Sequence, residues 1–417
     1  MVVPCAPHPL RNNDVHHGYR QDSDLYYLSG FDEPEAVLVL GAEAAAAILF
    51  VRPRDPEREV WDGARAGVEG AMQQFGIEQA YPIAELEQRL PDLLGGRERL
   101  FYHIGRYSDF DALLIKALGS ARAKGRRGKA FPIEIIDSDS VVHELRRIKS
   151  PVEIELMLRA VQITDLAHRQ AMVTARPGAY EFELEAVLRG EFLKQGSARV
   201  AYEPIVGSGP NATVLHHVKN DRQMQDGELV LIDAGCEYGY YAADVTRTFP
   251  VSGRFSAPQR DLYQVVLEAQ RLAIAACVAG ATLESIHEVT LRALVQGMLQ
   301  VGLLQGSLEQ VLETKSYQRY YMHRTSHYLG MDVHDVGRYY VAGRPRALEA
   351  GVVLTVEPGL YVAQTDQQAP EPFRGIGIRI EDDVLIESQG PRVLSSMIPK
   401  TIDDVESVCR ASSQLPA

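Results

Sequence analysis

The sequence predicts an α+β protein: a larger C-terminal domain built on a largely antiparallel sheet, preceded by a smaller mixed α/β N-terminal domain. Three observations predict it. A helix-start signal at Ser150-Pro151-Val152-Glu153 interrupts the chain, and beyond it helices and strands come in separated groups rather than strict alternation. Ahead of it, short apolar runs are interleaved with one amphipathic segment. The domains are accordingly placed at 1–148 and 149–417, since 417 residues exceed what a single core accommodates.

In the first domain, Ala36 to Leu40 and Ala46 to Val51 flank Gly41-Ala42-Glu43 and read as a hairpin. Leu100 to His103 and Ile133 to Asp137 read as strands, with a helix from Phe110 to Ala123 between them. The basic run from Lys124 to Lys129 reads as a solvated turn. At the boundary, Ser150 is placed as N-cap, Pro151 at the first helical position and Glu153 as the reciprocal partner of a capping box. Helical periodicity then runs through Pro151 to Ala175, Tyr180 to Gln195, Ala257 to Ala279 and Leu283 to Val301. Ser256 caps the third at its start, and Gly196, Gly280 and Gly302 stop three of the four. Strand-like segments are Glu228 to Ala234, Tyr240 to Phe249, Val352 to Glu357, Ile376 to Glu381 and Asp383 to Ile386.

Composition narrows the function. Lys+Arg 43 against Asp+Glu 56 leaves a net charge of −13, the wrong sign for tracking phosphates, so nucleic acid and anionic membrane are poor partners. No apolar run approaches the roughly 20 residues needed to span a bilayer, and no secretion signal opens the chain, which makes a cytoplasmic location the expectation. Cys5, Cys236, Cys277 and Cys409 form no CxxC pair and read as buried thiols rather than a disulfide framework or zinc knuckle.

The informative residues are acids at the ends of apolar strands. Asp233 ends Leu229-Val230-Leu231-Ile232, and Asp244 follows within Tyr240-Tyr241-Ala242-Ala243 on what reads as the adjacent strand. Glu357 ends Val352-Val353-Leu354-Thr355-Val356, and Glu381 closes Ile376-Gly377-Ile378-Arg379-Ile380, where alternation sets Arg379 and Glu381 on the face opposite the isoleucines. One such acid is usually a cap or a surface group. Four together cannot all stay ionised in a sheet surface without protons or cations to compensate. The window from Met322 to Asp335 adds His323, His327 and His334, and His216-His217 form a further pair. A lone histidine is usually structural; this clustering is not what a lone histidine gives. His323 and His327 are four apart, but Arg324-Thr325 replaces the zincin glutamate and no helix is evident there. Several carboxylates with one imidazole favour a hard divalent ion such as manganese, with cobalt or zinc as alternatives. There is no GxSxG elbow, and Gly207-Ser208-Gly209-Pro210-Asn211 lacks the ending of a phosphate loop.

Asp233, Asp244, His327, Glu357 and Glu381 match, in order, the signature of the metal-dependent aminopeptidases with the pita-bread (creatinase/aminopeptidase) fold. Within that family, HRTSHYLGMDVHDVG from His323 to Gly337 and LTVEPGLY from Leu354 to Tyr361 resemble aminopeptidase P, the Xaa-Pro aminopeptidase. So does YRQDSDLYYLSGF from Tyr19 to Phe31, which resembles its creatinase-like N-terminal domain. Such proteins usually carry a further helix and strand before that segment, so the first domain is expected to be short at its start.

The resemblance implies a dinuclear centre: Asp233 chelates one ion, Asp244 and Glu381 bridge both, and His327 and Glu357 complete the other. A hydroxide held between two divalent ions would attack the carbonyl ahead of a proline in position two, with Glu357 moving a proton to the leaving nitrogen. It implies roles for His216 and His334 at the substrate carbonyl and the tetrahedral intermediate, and for His323, Tyr361 and Arg379 in the pocket on the proline side. Arg379 could instead serve only to pair acidic neighbours. Trp61, the only tryptophan, matches one that in the family reaches a neighbouring subunit's site, or else is a packing residue. A homodimer or homotetramer is implied. The competing expectations are prolidase, restricted to dipeptides; the metal-free creatinase branch, which five intact ligands oppose; and a non-catalytic binding protein of the same fold.

Overall fold

A computed structural model describes residues 1–41, 47–125 and 130–410. They form two compact units, Met1–Arg146 and a second that begins at Arg147. Ala42 and Glu43 of the predicted turn and most of the Lys124 to Lys129 run lie outside the described residues.

The N-terminal unit is organised by a four-stranded sheet of Val2–Pro4, Val37–Leu40, Ala47–Val51 and Gln79–Pro82. Its strands are buried on both faces, as their near-continuous apolar sequences require. Val2, Val37, Val39 and Phe50 pack with Leu90, Leu100 and Leu114 on one side. Val3, Leu38, Leu49 and Val51 pack with Leu25, Phe31 and Ala71 on the other. The predicted hairpin strands pair antiparallel, and the predicted helix spans Ser108–Gly125 between strands Arg99–Phe101 and Glu134–Ile136.

The second unit opens on the expected helix, Pro151–Thr174. Ser150 Oγ accepts from Glu153 N, and Glu153 Oε2 accepts from Ser150 N at 2.8 Å. Every strand pair described in this unit is antiparallel. Ile205–Ser208, Leu229–Asp233 and Thr246–Pro250 form one sheet, Val353–Val356, Asp382–Glu387 and Gly390–Val393 another, and Gly359–Val362 with Ile376–Arg379 a ribbon. Strand alternation positions the site. Leu354, Val356, Val384 and Ile386 face a core with Ala273 and Ile286 of the helices and Cys277 just past the first of these, which leaves Thr355, Glu357 and Asp383 on the other face.

Two expectations need correction. The third helix ends at Ala275, with Ala276 as C-cap, not at Ala279 with Gly280. The chain leaves the helix there because Gly280 N donates to Leu348 O and Leu348 N to Ala281 O, at 2.9 and 2.7 Å. The stretch Tyr240 to Phe249 is not one strand: Tyr241–Ala242 and Thr246–Pro250 belong to different sheets, and Asp244 occupies the break. The cysteines are unpaired as expected, but Cys5 is only half-buried. No described helix is long and apolar enough to cross a membrane.

Candidate metal centre

Each acid is delivered by a backbone that leaves it little freedom. Asp233 ends its strand opposite Thr246. Two residues on, Gly235 lies so close to the crossing backbone that a Cβ there would sit 1.7 Å from Ala243 O. Only glycine tolerates that approach, and it brings Asp244 beside Asp233. Glu381 N donates to Thr246 O at 3.1 Å, and Thr246 Oγ1 donates to Glu381 Oε2 at 2.6 Å. His327 is held along the neighbouring strand, with Thr355 N donating to His327 O and Glu357 N to Thr325 O.

These contacts bring one potential ligand atom each of Asp244, His327 and Glu381 within 4.8 Å of one another. His327 Nε2 lies 3.4 Å from Asp244 Oδ2 and 3.7 Å from Glu357 Oε1, which puts Glu357 at the edge of the group. Asp233 joins through Tyr202, whose hydroxyl is 2.5 Å from both Asp233 Oδ1 and Asp244 Oδ1. All five residues of the sequence-derived set therefore converge.

Electrostatics describes a cluster short of positive charge. Burial, then the charges of Asp244, Asp233 and Glu357, push the Glu381 carboxyl well above the carboxylate range. Burial raises Glu357 to about 7, although His327 and Arg379 oppose it. Burial would lower His327, but the hydrogen bond and charge of Asp244, with Glu357, raise it to about 9. Divalent cations would remove the need for such proton uptake. His327 Nδ1 lies 3.0 Å from Tyr328 O, and as its donor leaves the Nε2 lone pair facing the acids, the tautomer a ligand needs. Buried carboxylate oxygens with one imidazole nitrogen suit a divalent ion with a preference for oxygen.

Around this centre, His323 Nε2 lies 2.8 Å from the Tyr361 hydroxyl, and burial, then Arg379, lower its pKa to about 4, so it is neutral. His334 packs edge-on to His327 at 4.4 Å between ring centroids. His216 is exposed, and burial, then the charge of His327, lower the His334 pKa. Arg379 is buried and donates to Asp233 Oδ2 at 2.6 Å, Tyr361 Oη at 2.9 Å and Thr246 Oγ1 at 3.1 Å. It thus pairs an acidic neighbour and also holds the Tyr361 hydroxyl. Trp61 lies in the N-terminal unit at 84% exposure and is no packing residue there.

Sequence reasoning missed Tyr202 and Asp383. Tyr202 lies in an irregular stretch without periodicity, so nothing local marks it. Asp383 is fully buried and accepts from Asp244 N at 3.2 Å. Three consecutive acids, Glu381-Asp382-Asp383, opening an apolar strand were a usable signal.

An antiparallel α+β unit with a buried acid and imidazole cluster on the sheet face away from its helices has the makings of a metal-dependent hydrolase. The chain belongs to metallopeptidase family M24, whose model matches residues 155–388, and the aminopeptidase P N-terminal domain matches residues 1–102. It is 42% identical to the Xaa-Pro aminopeptidase of Escherichia coli (strain K12) over 99% of this chain and 93% of the relative, and 38% identical to human Xaa-Pro aminopeptidase 3 over 99% and 81%. The structure of Pseudomonas aeruginosa aminopeptidase PepP superposes with a TM-score of 0.97 at 45% identity, covering 99% of this chain and 94% of that one. An aminopeptidase P N-terminal domain followed by a pita-bread domain is the architecture expected from the sequence.

Proposed function

We propose that this protein is an Xaa-Pro aminopeptidase that releases the first residue from peptides with proline in position two. The observation that carries the reading is the convergence of Asp244, His327 and Glu381 beside Asp233 and Glu357, in a chain similar over nearly its whole length to Xaa-Pro aminopeptidases. Asp233, Asp244, His327, Glu357 and Glu381 would hold two divalent ions, with Mn(II) first and Co(II) or Zn(II) as alternatives; an Escherichia coli aminopeptidase P has been solved in a zinc-substituted form. Bound there, the ions supply Lewis acidity and make water a competent nucleophile at neutral pH.

The chain's own groups complete the reaction. Glu357 accepts a proton as water adds to the carbonyl carbon and delivers it to the proline nitrogen as the C–N bond breaks. His216 and His334 donate to the carbonyl oxygen where charge develops. Neutral His323, Tyr361 and Arg379 border the proline side, and exposed Trp61 reaches the site of a neighbouring subunit in a homodimer or homotetramer. A cytoplasmic enzyme acting on free peptides is the setting that fits.

The test is hydrolysis of an Xaa-Pro-Yaa tripeptide and an Xaa-Pro dipeptide after chelation, with Mn(II) added back. Cleavage of the tripeptide at its first bond, lost on chelation and restored by Mn(II), is expected. Strict dipeptide use would make it a prolidase, and full activity in the chelated protein would remove the metal centre.

A further inference from the structure

The reaction leaves several fully buried carboxylates in this unit unaccounted for, and Glu181 is one of them. Glu181, the first residue of helix Glu181–Lys194, is wholly inaccessible. It accepts from Ser208 N at 2.7 Å, Ser208 Oγ at 2.8 Å, Asn211 Nδ2 at 3.1 Å and Arg222 N at 3.0 Å, and its Oε2 lies 3.0 Å from His217 Nε2. One side chain thus ties down both ends and the middle of the excursion from 208 to 222. A buried charge costs more than apolar packing of the same volume, so a site that keeps one needs a reason. Here the compensation is visible: five donors, plus the positive end of its own helix.

The excursion carries His216, next to His217. Its 3-10 turn, Gly209–Thr213, rests on the ribbon so closely that a Cβ at Gly377 would come 2.0 Å from Ala212 O, and Leu215 and Ala212 pack against Tyr361. A loop tied this firmly loses the backbone freedom that surface segments normally keep. His216 is exposed, with no hydrogen bond described for its ring, so its position is set by this backbone.

We infer that Glu181 is a positioning residue: through His217 it fixes the 208–222 loop so that His216 is held at the reacting carbonyl. The inference rests on the role given to His216 above.

The test compares His217→Phe, His217→Gln and Glu181→Gln in the metal-loaded enzyme, each alone and combined with His216→Ala. His217→Phe keeps a ring but no donor, and should lower kcat by about 10- to 100-fold with KM changed by no more than about twofold. His217→Gln, which restores a nitrogen donor, should recover most of the loss. In the His216→Ala background, His217→Phe should cost less than about twofold more, because its effect passes through His216. Amide exchange across residues 209–217 should quicken in His217→Phe whatever the activity. Wild-type kcat in His217→Phe and Glu181→Gln, losses that multiply with His216→Ala, or unchanged exchange would each overturn the proposal. Wild-type kcat in His216→Ala would instead overturn the role of His216, a different signature. Should Glu181→Gln fail to fold, the half-buried His217 variants still decide.

Discussion

Arg379 Nη2 donates to Asp233 Oδ2 at 2.6 Å, and both residues are buried. The guanidinium sits against an acid cluster that otherwise holds Asp244, Glu357 and Glu381, so it does part of what bound ions would do. Arg379→Met should therefore destabilise the chelated protein by about 3–5 kcal/mol, the usual cost of leaving a buried charge without its partner. Saturating Mn(II) should return part of that. Thermal melts of wild type and variant, with chelator and with Mn(II), check it; an equal gap under both conditions would show that Arg379 only packs.

Tyr202→Phe removes a hydroxyl shared by Asp233 and Asp244 while keeping the ring. Outer partners of this kind hold ligands in place, and their loss typically costs 10- to 100-fold in affinity, so Mn(II) affinity by calorimetry should fall by about that much. Unchanged affinity would mean the hydroxyl merely fills space.

Asp244→Asn and Glu357→Ala should abolish turnover of an Xaa-Pro-Yaa peptide, by at least about 10²- to 10⁴-fold, while circular dichroism stays native. Asp244 lies at the centre of the cluster, and Glu357 is the proposed proton carrier. Wild-type turnover in either would end the proposed reaction.

His168, fully buried beneath the site strand, has Nε2 3.0 Å from Ala234 O. Burial lowers its pKa from 6.5 to about 4, so the fold holds it neutral. Its stabilising share is complete above the unfolded value near 6.5 and is lost as pH falls toward 4, a loss of about 3 kcal/mol. His168→Gln places an amide donor at the Nε2 position for Ala234 O and cannot titrate. Denaturant midpoints between pH 7 and 4 should fall less steeply for the variant, and parallel slopes would assign the acid sensitivity elsewhere.

Much of this was legible because it is periodic. The Ser150 box, the apolar strands and the acids at their ends are local patterns, and the fold obeys them from Pro151 to Thr174 and from Leu229 to Asp233. What escaped was tertiary. Tyr202 matters only because two distant aspartates meet its hydroxyl. The run from Tyr240 to Phe249 looked like one strand because nothing local reports that the chain must pass over Gly235 before reaching Thr246. The early end at Ala275 likewise depends on Leu348, more than 70 residues away.

The crossing at Gly235 has a consequence for how this centre can vary. Because main chain rests directly on main chain there, even a methyl group would force the two arms apart, and the gap between Asp233 and Asp244 is not open to gradual adjustment by substitution at that point. Divergence in ion preference would have to be written in the surrounding ring of Tyr202, Thr246, Arg379 and Asp383, leaving the hinge of the cradle fixed.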